Sequence, residues 1–494
     1  MKQVVIAGGG AAGWMTAAFL SNVLGHSCKV ALVESEAIGI VGVGEATIPP
    51  ILLFNNVLGI SEAEFITATK GTFKLGIQFE NWGQVGDSYM HAFGEVGPQI
   101  GLTSFHHYWL KAQQTGLDFD YWDFSPSFQA AKAAKFAPLH QLPGTPFNNL
   151  AYAYHFDATL YAALLRRKAE GQGVIRIEGK IETINRAANG NIADLVLADG
   201  QIVAGDLFID CTGFRSLLLG ETLQVGYEDW RQWLPCDRAM AVPSANVSAP
   251  VPYTRAMAHQ AGWQWRIPLQ HRTGNGLVYC SEFLTDQHAS EQLLGNLAGA
   301  ALAEPRPIRY ITGKRRELWS HNCVAIGLAS GFLEPLESTS LHLIQSGIIR
   351  LAKLFPSHDD YASLRAQYNR QSQLEFEQIR NFIILHYHQT NRTDSEFWRY
   401  CQTMAIPDEL ANKIELFRSS GVVQREQDEL FSEVAWQQVM LGQGITPKNY
   451  HAAANKFSEG QLKQLMQDMK LIVQGIVHKL PSHTQTLEQL NRKA

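Results

Sequence analysis

The sequence predicts an α/β protein whose C-terminal part is mainly helical, the whole packed as one body. Three observations carry this. A GxGxxG pattern opens the chain between a strand-like and a helix-like run, "QVVIAGGGAAGWMTAAFLSNVL". Strand-like segments such as "VIRIEG" and "GLVYCSEF" dominate between residues 170 and 320. After about residue 345 the period becomes helical, as in "QYNRQSQLEFEQIRNFIILHYH", "DSEFWRYCQTMAI" and "DELANKIELFRSSG". The expected division is an α/β module over residues 1–345 and a helical module over 346–494.

The first element is a buried strand, Val4 to Ala7, followed by a glycine turn and a helix from about Ala11. "KVALVESE", Lys29 to Glu36, is the next parallel strand, so the chain begins with a βαβ unit. Gly8 allows the tight turn, Gly10 lets a pyrophosphate approach the backbone, and Gly13 lets helix and strand pack closely. Glu34 follows about 20 residues on, where a carboxylate takes ribose hydroxyls. Strand, helix and acid in register predict a dinucleotide site, and a glycine turn without ligand is the plainer alternative. The apolar opening is too short and glycine-broken for a signal peptide.

Further on, "GDLFIDCTGFRS" (Gly205 to Ser216) is an apolar strand ending in Thr-Gly. "NCVAIGLASGFLEPLESTSLHLIQSGIIRLAKLF" is a strand, a glycine-bearing loop and a helix from about Leu341. Distant segments converging on one ligand suit FAD better than a nicotinamide cofactor. No second GxGxxG serves NAD(P)H, so the electrons must come from elsewhere. Arg215 is a candidate flavin neighbour, with a structural salt bridge as the alternative.

Composition narrows the function. The 494 residues are 46% hydrophobic and 18% charged, with formal net charge -5. Lys and Arg are dispersed, so neither nucleic acid nor an anionic membrane is an expected partner. No run of 18 apolar residues exists to span a bilayer. Six scattered cysteines without a CxxC indicate a reducing, cytoplasmic setting. His106-His107 and the His386/His388 pair lack further ligands at usable spacing, so no metal is expected.

"GWQWRIPLQ", Gly262 to Gln270, places two tryptophans one residue apart. Strand alternation sends Trp263 and Trp265 to the same face, closed by Pro268. Core packing alone explains such a pair, and so does a wall.

Several segments together resemble the flavin-dependent halogenases typified by the tryptophan halogenases. "GWQWRIP" matches their WxWxIP signature at Trp263, Trp265, Ile267 and Pro268. The N-terminal GxGxxG is shared, and "FKLGIQFENW" puts Lys74 at the place of the family's catalytic lysine. "GVGEATIPP" (Gly42 to Pro50) resembles the flavin strap, "EPLESTS" (Glu334 to Ser340) the EPLESTG stretch, and "YMHAFGEV" the YHLFG-type stretch. The matches run in family order from residue 4 to about 345.

The resemblance implies a Rossmann-like, flavin monooxygenase-type module. Gly8, Gly10, Ala11, Ala12, Gly13, Glu34, Val43, Gly44, Ala46, Thr47, Gly327 and Leu328 would contact FAD. FADH2 from a separate NAD(P)H-dependent flavin reductase would react with O2 to a C4a-hydroperoxide, and halide would take its distal oxygen as hypohalous acid. That oxidant would pass through a tunnel to Lys74, beside an indole-type aromatic held by His91 and Phe93. Lys74 would hydrogen-bond it as an ammonium or form a haloamine, desolvation favouring the second. Glu337, backed by Ser338, would polarise the oxidant or accept the ring proton. A helix-capping role is its alternative. The N–H groups of Thr339 and Ser340 would hold bromide or chloride. Ser340 departs from the family's glycine, which leaves halide geometry and preference open.

Paired tyrosines and a Phe-Trp pair clamp the amino acid in tryptophan halogenases, but here the region reads "LFSEVAWQQVMLGQGITP". Free tryptophan is therefore not implied over a smaller indole or a phenol. Trp436 is a further candidate for that pocket. The alternative function is an FAD-dependent aromatic monooxygenase, and a non-catalytic flavoprotein is the rival from another class. A homodimer is compatible with the sequence.

Overall fold

The computed structural model describes residues 2–36, 44–357 and 361–493. Contacts divide the chain into two compact units, each assembled from three segments. Met1–Gly71, Phe156–Arg238 and Ile308–Glu377 form the first; Thr72–His155, Ala239–Pro307 and Gln378–Ala494 form the second. The boundary expected at residues 345 and 346 coincides with no break between these segments. It falls inside the helix Ser340–Lys353. A contiguous division cannot describe a chain that returns repeatedly to one parallel sheet.

The first unit is built on a six-stranded sheet. Strands β1 (Lys2–Ala7) and β2 (Cys28–Glu34) lie side by side, parallel, with helix α1 (Ala11–Leu24) between them in sequence. Val4, Val5, Ile6 and Ala7 are all fully buried. An unbroken apolar run marks a strand covered on both faces, where an alternating one would have had a wet side. Leu207–Asp210 pairs with β1 on its other edge, and Cys323–Ala325 pairs with Leu207–Asp210, both parallel. Three segments far apart in sequence thus present their carboxyl ends together, the position where open α/β sheets bind ligands.

Strand β3 (Gly44–Ala46) belongs to the first unit, while β4 (Thr72–Lys74), β5 (Gly76–Glu80) and β6 (Ser88–Ala92) belong to the second. Strand β7 (Ala153–Asp157) pairs antiparallel with β4. Among the described residues the main sheet of the second unit has seven strands, in which Thr273–Tyr279, Gly262–Pro268, Thr254–His259, β5 and β6 follow one another. The segments expected to be helical form Ala362–His388, Glu396–Thr403 and Asp408–Ser420, the last closed by Gly421 at φ 72°. Ser395, Ser432, Ser458 and Ser482 each cap a helix by accepting a backbone N–H. Among the described residues, no single helix is long and apolar enough to cross a membrane.

Candidate active site

The glycine turn after β1 has the shape a pyrophosphate requires. Gly8 has φ 109°, and a Cβ there would lie 2.3 Å from the Cys211 carbonyl oxygen. A Cβ on Gly13 would lie 1.9 Å from the Gly8 carbonyl oxygen, whereas Gly10 has open space beyond it. Gly10 occupies the N-cap position of α1 with no side-chain cap, and the first turn, with Ala11 and Ala12, holds no acid. The helix therefore offers unclaimed N–H groups and its positive end to an anion. The second glycine turn meets the first: Gly327 has φ 72°, and a Cβ there would touch Cβ of Ala12 at 2.8 Å. Its neighbour Leu328 is exposed.

Glu34 ends β2 as expected but already has company. It accepts from Arg176 Nε at 2.6 Å and from the indole of Trp14 at 3.3 Å. Its carboxylate lies so close to Gly9 that a Cβ there would fall on it. Gly44, Ala46 and Thr47 sit in or beside β3, all buried, while Val43 lies outside the described residues. Arg215 is an exposed side chain paired with Glu221 at 3.1 Å, the salt-bridge alternative. The turn Gly8 to Gly13 and the start of α1 have room for the pyrophosphate of FAD.

Also in the first unit, a short 3-10 turn, Pro335–Glu337, leads into the helix Ser340–Lys353. Glu337 and Thr339 are fully buried and Ser338 is nearly so. Ser338 has φ 58°, a left-handed conformation that costs a non-glycine residue about 1 kcal/mol. Thr339 stands at the N-cap but its side chain caps nothing, and its Oγ1 is buried without a partner. Ser340 begins the helix with ordinary right-handed angles, so the exchange of glycine for serine leaves its N–H in place.

The second unit gathers the other candidates. Lys74 ends β4, is fully buried, and holds Nζ 5.2 Å from the ring centroid of Phe93. The chain explains this proximity. It runs from Lys74 through Leu75 into β5, and β5 pairs antiparallel with β6, setting Ile77 opposite His91. Just beyond β6, the Phe93 N–H donates to the Leu75 carbonyl at 2.8 Å. His91 and Phe93, two residues apart on one strand face, meet edge to face at 6.3 Å.

Further rings complete this wall: sequence reasoning offered Trp436 and missed Phe382 and Phe431. Phe382 lies 5.7 Å from His91, and Phe431 stacks on Phe382 at 3.7 Å and 16°. Trp436 meets Phe382 edge-on at 4.7 Å. Phe382 reads as ordinary core within an apolar helix, and no local pattern ties it to Phe431. Gln438 was also missed. Its fully buried amide donates to the Ala92 carbonyl at 2.9 Å and accepts the Ala92 N–H at 3.1 Å. It thereby caps the edge strand between His91 and Phe93.

The paired tryptophans lie on the strand Gly262–Pro268, two strands from β5 in the same sheet. Trp263, Trp265, Ile267 and Pro268 are all buried. The two indoles meet at 6.1 Å, and Trp263 also faces Trp82 at 6.3 Å. Trp265 covers Gly276 opposite it, where a Cβ would fall 2.0 Å from the indole. The Trp263 N–H is buried with no partner.

Comparison with known proteins shows the family. The sequence profile of the tryptophan halogenases matches residues 3–459. The chain belongs to the tryptophan halogenase family. Xcc4156, a flavin-dependent halogenase from Xanthomonas campestris, is 50% identical and superposes with TM-score 0.96 over 99% of this chain and 98% of that one. BrvH, a flavin-dependent halogenase from Brevundimonas sp. BAL3, is 42% identical with TM-score 0.95, covering 99% of each chain. The tryptophan 6-halogenase SttH of Streptomyces toxytricini is 36% identical over 439 residues, 84% of either chain. As a tryptophan halogenase family member, this chain is a flavin-dependent halogenase that uses FAD, halide and O2.

Proposed function

We propose that this halogenase substitutes an indole-type aromatic through Lys74, using FADH2 supplied by a separate flavin reductase. Bound FADH2 supplies the reduction of O2 that turns halide into hypohalous acid. The N–H groups of Thr339 and Ser340, at a helix start whose N-cap residue Thr339 makes no side-chain cap, hold bromide or chloride before oxidation. Lys74 then binds the hypohalous acid and directs its halogen at a ring carbon held among His91, Phe93 and the neighbouring rings. The carbon gains the halogen and loses a proton, and the hydroxide half of the oxidant leaves as water. Glu337 takes that proton from the carbon and passes it to the departing hydroxide, with Ser338 as its hydrogen-bonding support. Trp263, Trp265, Ile267 and Pro268 keep the organic substrate away from the flavin, so a small oxidant passes and the ring does not.

One observation carries the reading: an amine with no solvent exposure, fixed 5.2 Å above an aromatic ring inside a wall of further rings. A surface lysine has no reason to be there. Burying it is costly unless its environment is built for it. Flat apolar walls suit a flat ring without a charged amino-acid end. Tryptophan, the substrate named for SttH, and plain indole are the two compounds to compare.

The test is incubation with a flavin reductase, NADH, FAD and either indole or tryptophan, in bromide and in chloride, followed by mass spectrometry. The halogen isotope pattern on indole supports the reading. A gain of one oxygen without halogen makes the protein a monooxygenase instead.

A further inference from the structure

The strand bearing Lys74 is fastened by two histidines that the reaction above does not use. In the pairing of β4 with β7, Thr72 stands opposite His155 and Lys74 opposite Ala153. Alternation along β4 puts the Thr72 and Lys74 side chains on one face, with Phe73 on the other. His155 is fully buried on the Lys74 side.

The hydrogen bonds settle which nitrogen of His155 carries the proton. Thr72 Oγ1 donates its one hydrogen to the Pro268 carbonyl at 2.7 Å. The 2.9 Å bond between Thr72 Oγ1 and His155 Nδ1 must then run the other way, with Nδ1–H as donor. Burial favours the neutral ring, so Nε2 keeps its lone pair and accepts from Thr254 Oγ1 at 2.9 Å. His483 on the opposite side obeys the same logic. Its Nε2 accepts the Phe73 N–H at 3.1 Å, so Nδ1 donates to the Pro250 carbonyl at 2.8 Å. Each ring is a neutral Nδ1–H tautomer with both nitrogens engaged. Burial opposes charging either one, and the Lys74 ammonium opposes it further at His155.

We propose that His155 is a positioning residue for halogen transfer. As a neutral Nδ1–H tautomer it joins Thr254 to Thr72, whose hydroxyl holds the Pro268 carbonyl at the end of the tryptophan strand, without placing a second cation beside the amine. His483 seats the same strand through the Phe73 backbone. The inference rests on Lys74 being the transfer residue. The line Lys74 strand, Thr72, His155, Thr254 then ties the amine and the barrier to one frame. A lysine side chain has four rotatable bonds, so its backbone must be held if its tip is to stay in register with a ring. Angstrom-scale misplacement costs a positioned step about a hundredfold.

The test has two arms. In selectively 15N-histidine-labelled full-length protein, His155 and His483 should show the neutral Nδ1–H pattern at pH 7, assigned by His155→Asn and His483→Gln. An Nε2–H or charged His155 overturns the proposal. In the second arm, His155→Phe keeps the ring shape and loses both bonds, while His155→Asn keeps a donor toward Thr72. His155→Phe should bind FAD and consume O2 as the parent does, with unchanged KM for indole. Its kcat for ring halogenation should fall by on the order of tenfold or more, with hypohalous acid escaping to a diffusible diketone trap. His155→Asn should restore most of the coupling. Parent-like halogenation by His155→Phe, or equal loss of halide oxidation and ring product, overturns the proposal. If Lys74→Ala also halogenates, the transfer reading fails by itself; if only Lys74→Ala is dead, the positioning role fails and that reading survives.

Discussion

The carboxylate of Glu429 accepts the indole N–H of Trp436 at 2.7 Å and both its oxygens bind Lys413 Nζ at 2.9 Å. Glu429 is almost fully buried, and it also accepts the Glu426 N–H. Lys413 lies 4.3 Å over the Trp436 ring. This charged knot stands two residues before Phe431, the ring stacked on Phe382 beside His91.

Breaking one half of this knot should cost far more than removing both. Lys413→Met leaves the buried carboxylate unpaired and should lower unfolding free energy by about 3 kcal/mol or more. Adding Glu429→Gln should recover most of it. Urea unfolding of both variants checks this, and additive losses would show that the pair is not coupled.

The glycine turn separates packing from binding. Gly13→Ala drives a methyl into the Gly8 carbonyl and should destabilise the protein by about 2 kcal/mol or more even without FAD. Gly10→Ala has open space and N-cap angles of φ -73° and ψ -171° that alanine tolerates. It should leave the melting temperature within a degree or two, by about 0.5 kcal/mol at most, while weakening FAD affinity. Flavin fluorescence titration and thermal melting distinguish the two.

Gly276→Ala tests the tryptophan wall without touching a tryptophan. Its methyl would occupy the place of the Trp265 ring and displace it. Stability should fall by about 1–3 kcal/mol. If the wall keeps substrate from flavin, oxygenated indole should also appear among the products. If Trp265 only fills space, the product spectrum should stay halogenated while the yield falls.

His483 makes the protein acid-sensitive in a defined window. Burial pushes its pKa from 6.5 down to about 4. The unfolded chain then binds a proton that the folded chain refuses, so stability is lost as pH falls from about 6.5 toward 4. The full effect is about 3 kcal/mol. His483→Gln, with no proton to take up, should make the stability curve less steep across this range, with the buried His106, His107 and His155 supplying the remaining slope, and an unchanged slope by urea titration would contradict the assignment.

The glycine turn and the acid that ends β2 were legible because their signals are local. Gly8 to Gly13 and Glu34 fall within one βαβ unit, where the turn, the helix start and the strand end follow from spacing alone. Asp210 was not legible. Its carboxylate accepts the Thr212, Leu218 and Leu219 N–H groups and the Thr212 and Ser216 hydroxyls, and a lone Asp ending a strand does not reveal such a hub. Lys74, His91 and Phe93 were readable as motif positions, but the reason they meet is the β5–β6 register, which brings together residues many positions apart. Phe382 with Phe431, and His155 with Thr254, come from elements with no shared periodicity. Tertiary contact alone joins them. The division into units escaped for the same reason: each unit recruits three segments, and only the sheet order shows which.

The central claim is that Lys74 receives a halogen oxidised elsewhere, and one comparison tests it most directly. Parent and Lys74→Ala are supplied with the same reductase, FAD, O2, bromide and indole, and oxygen uptake, diketone-trapped hypobromite and bromoindole are measured in parallel. The account predicts parent-like FAD binding and oxygen uptake in Lys74→Ala, more hypobromite in the trap, and bromoindole reduced to background. Bromoindole formed at the parent rate would contradict it.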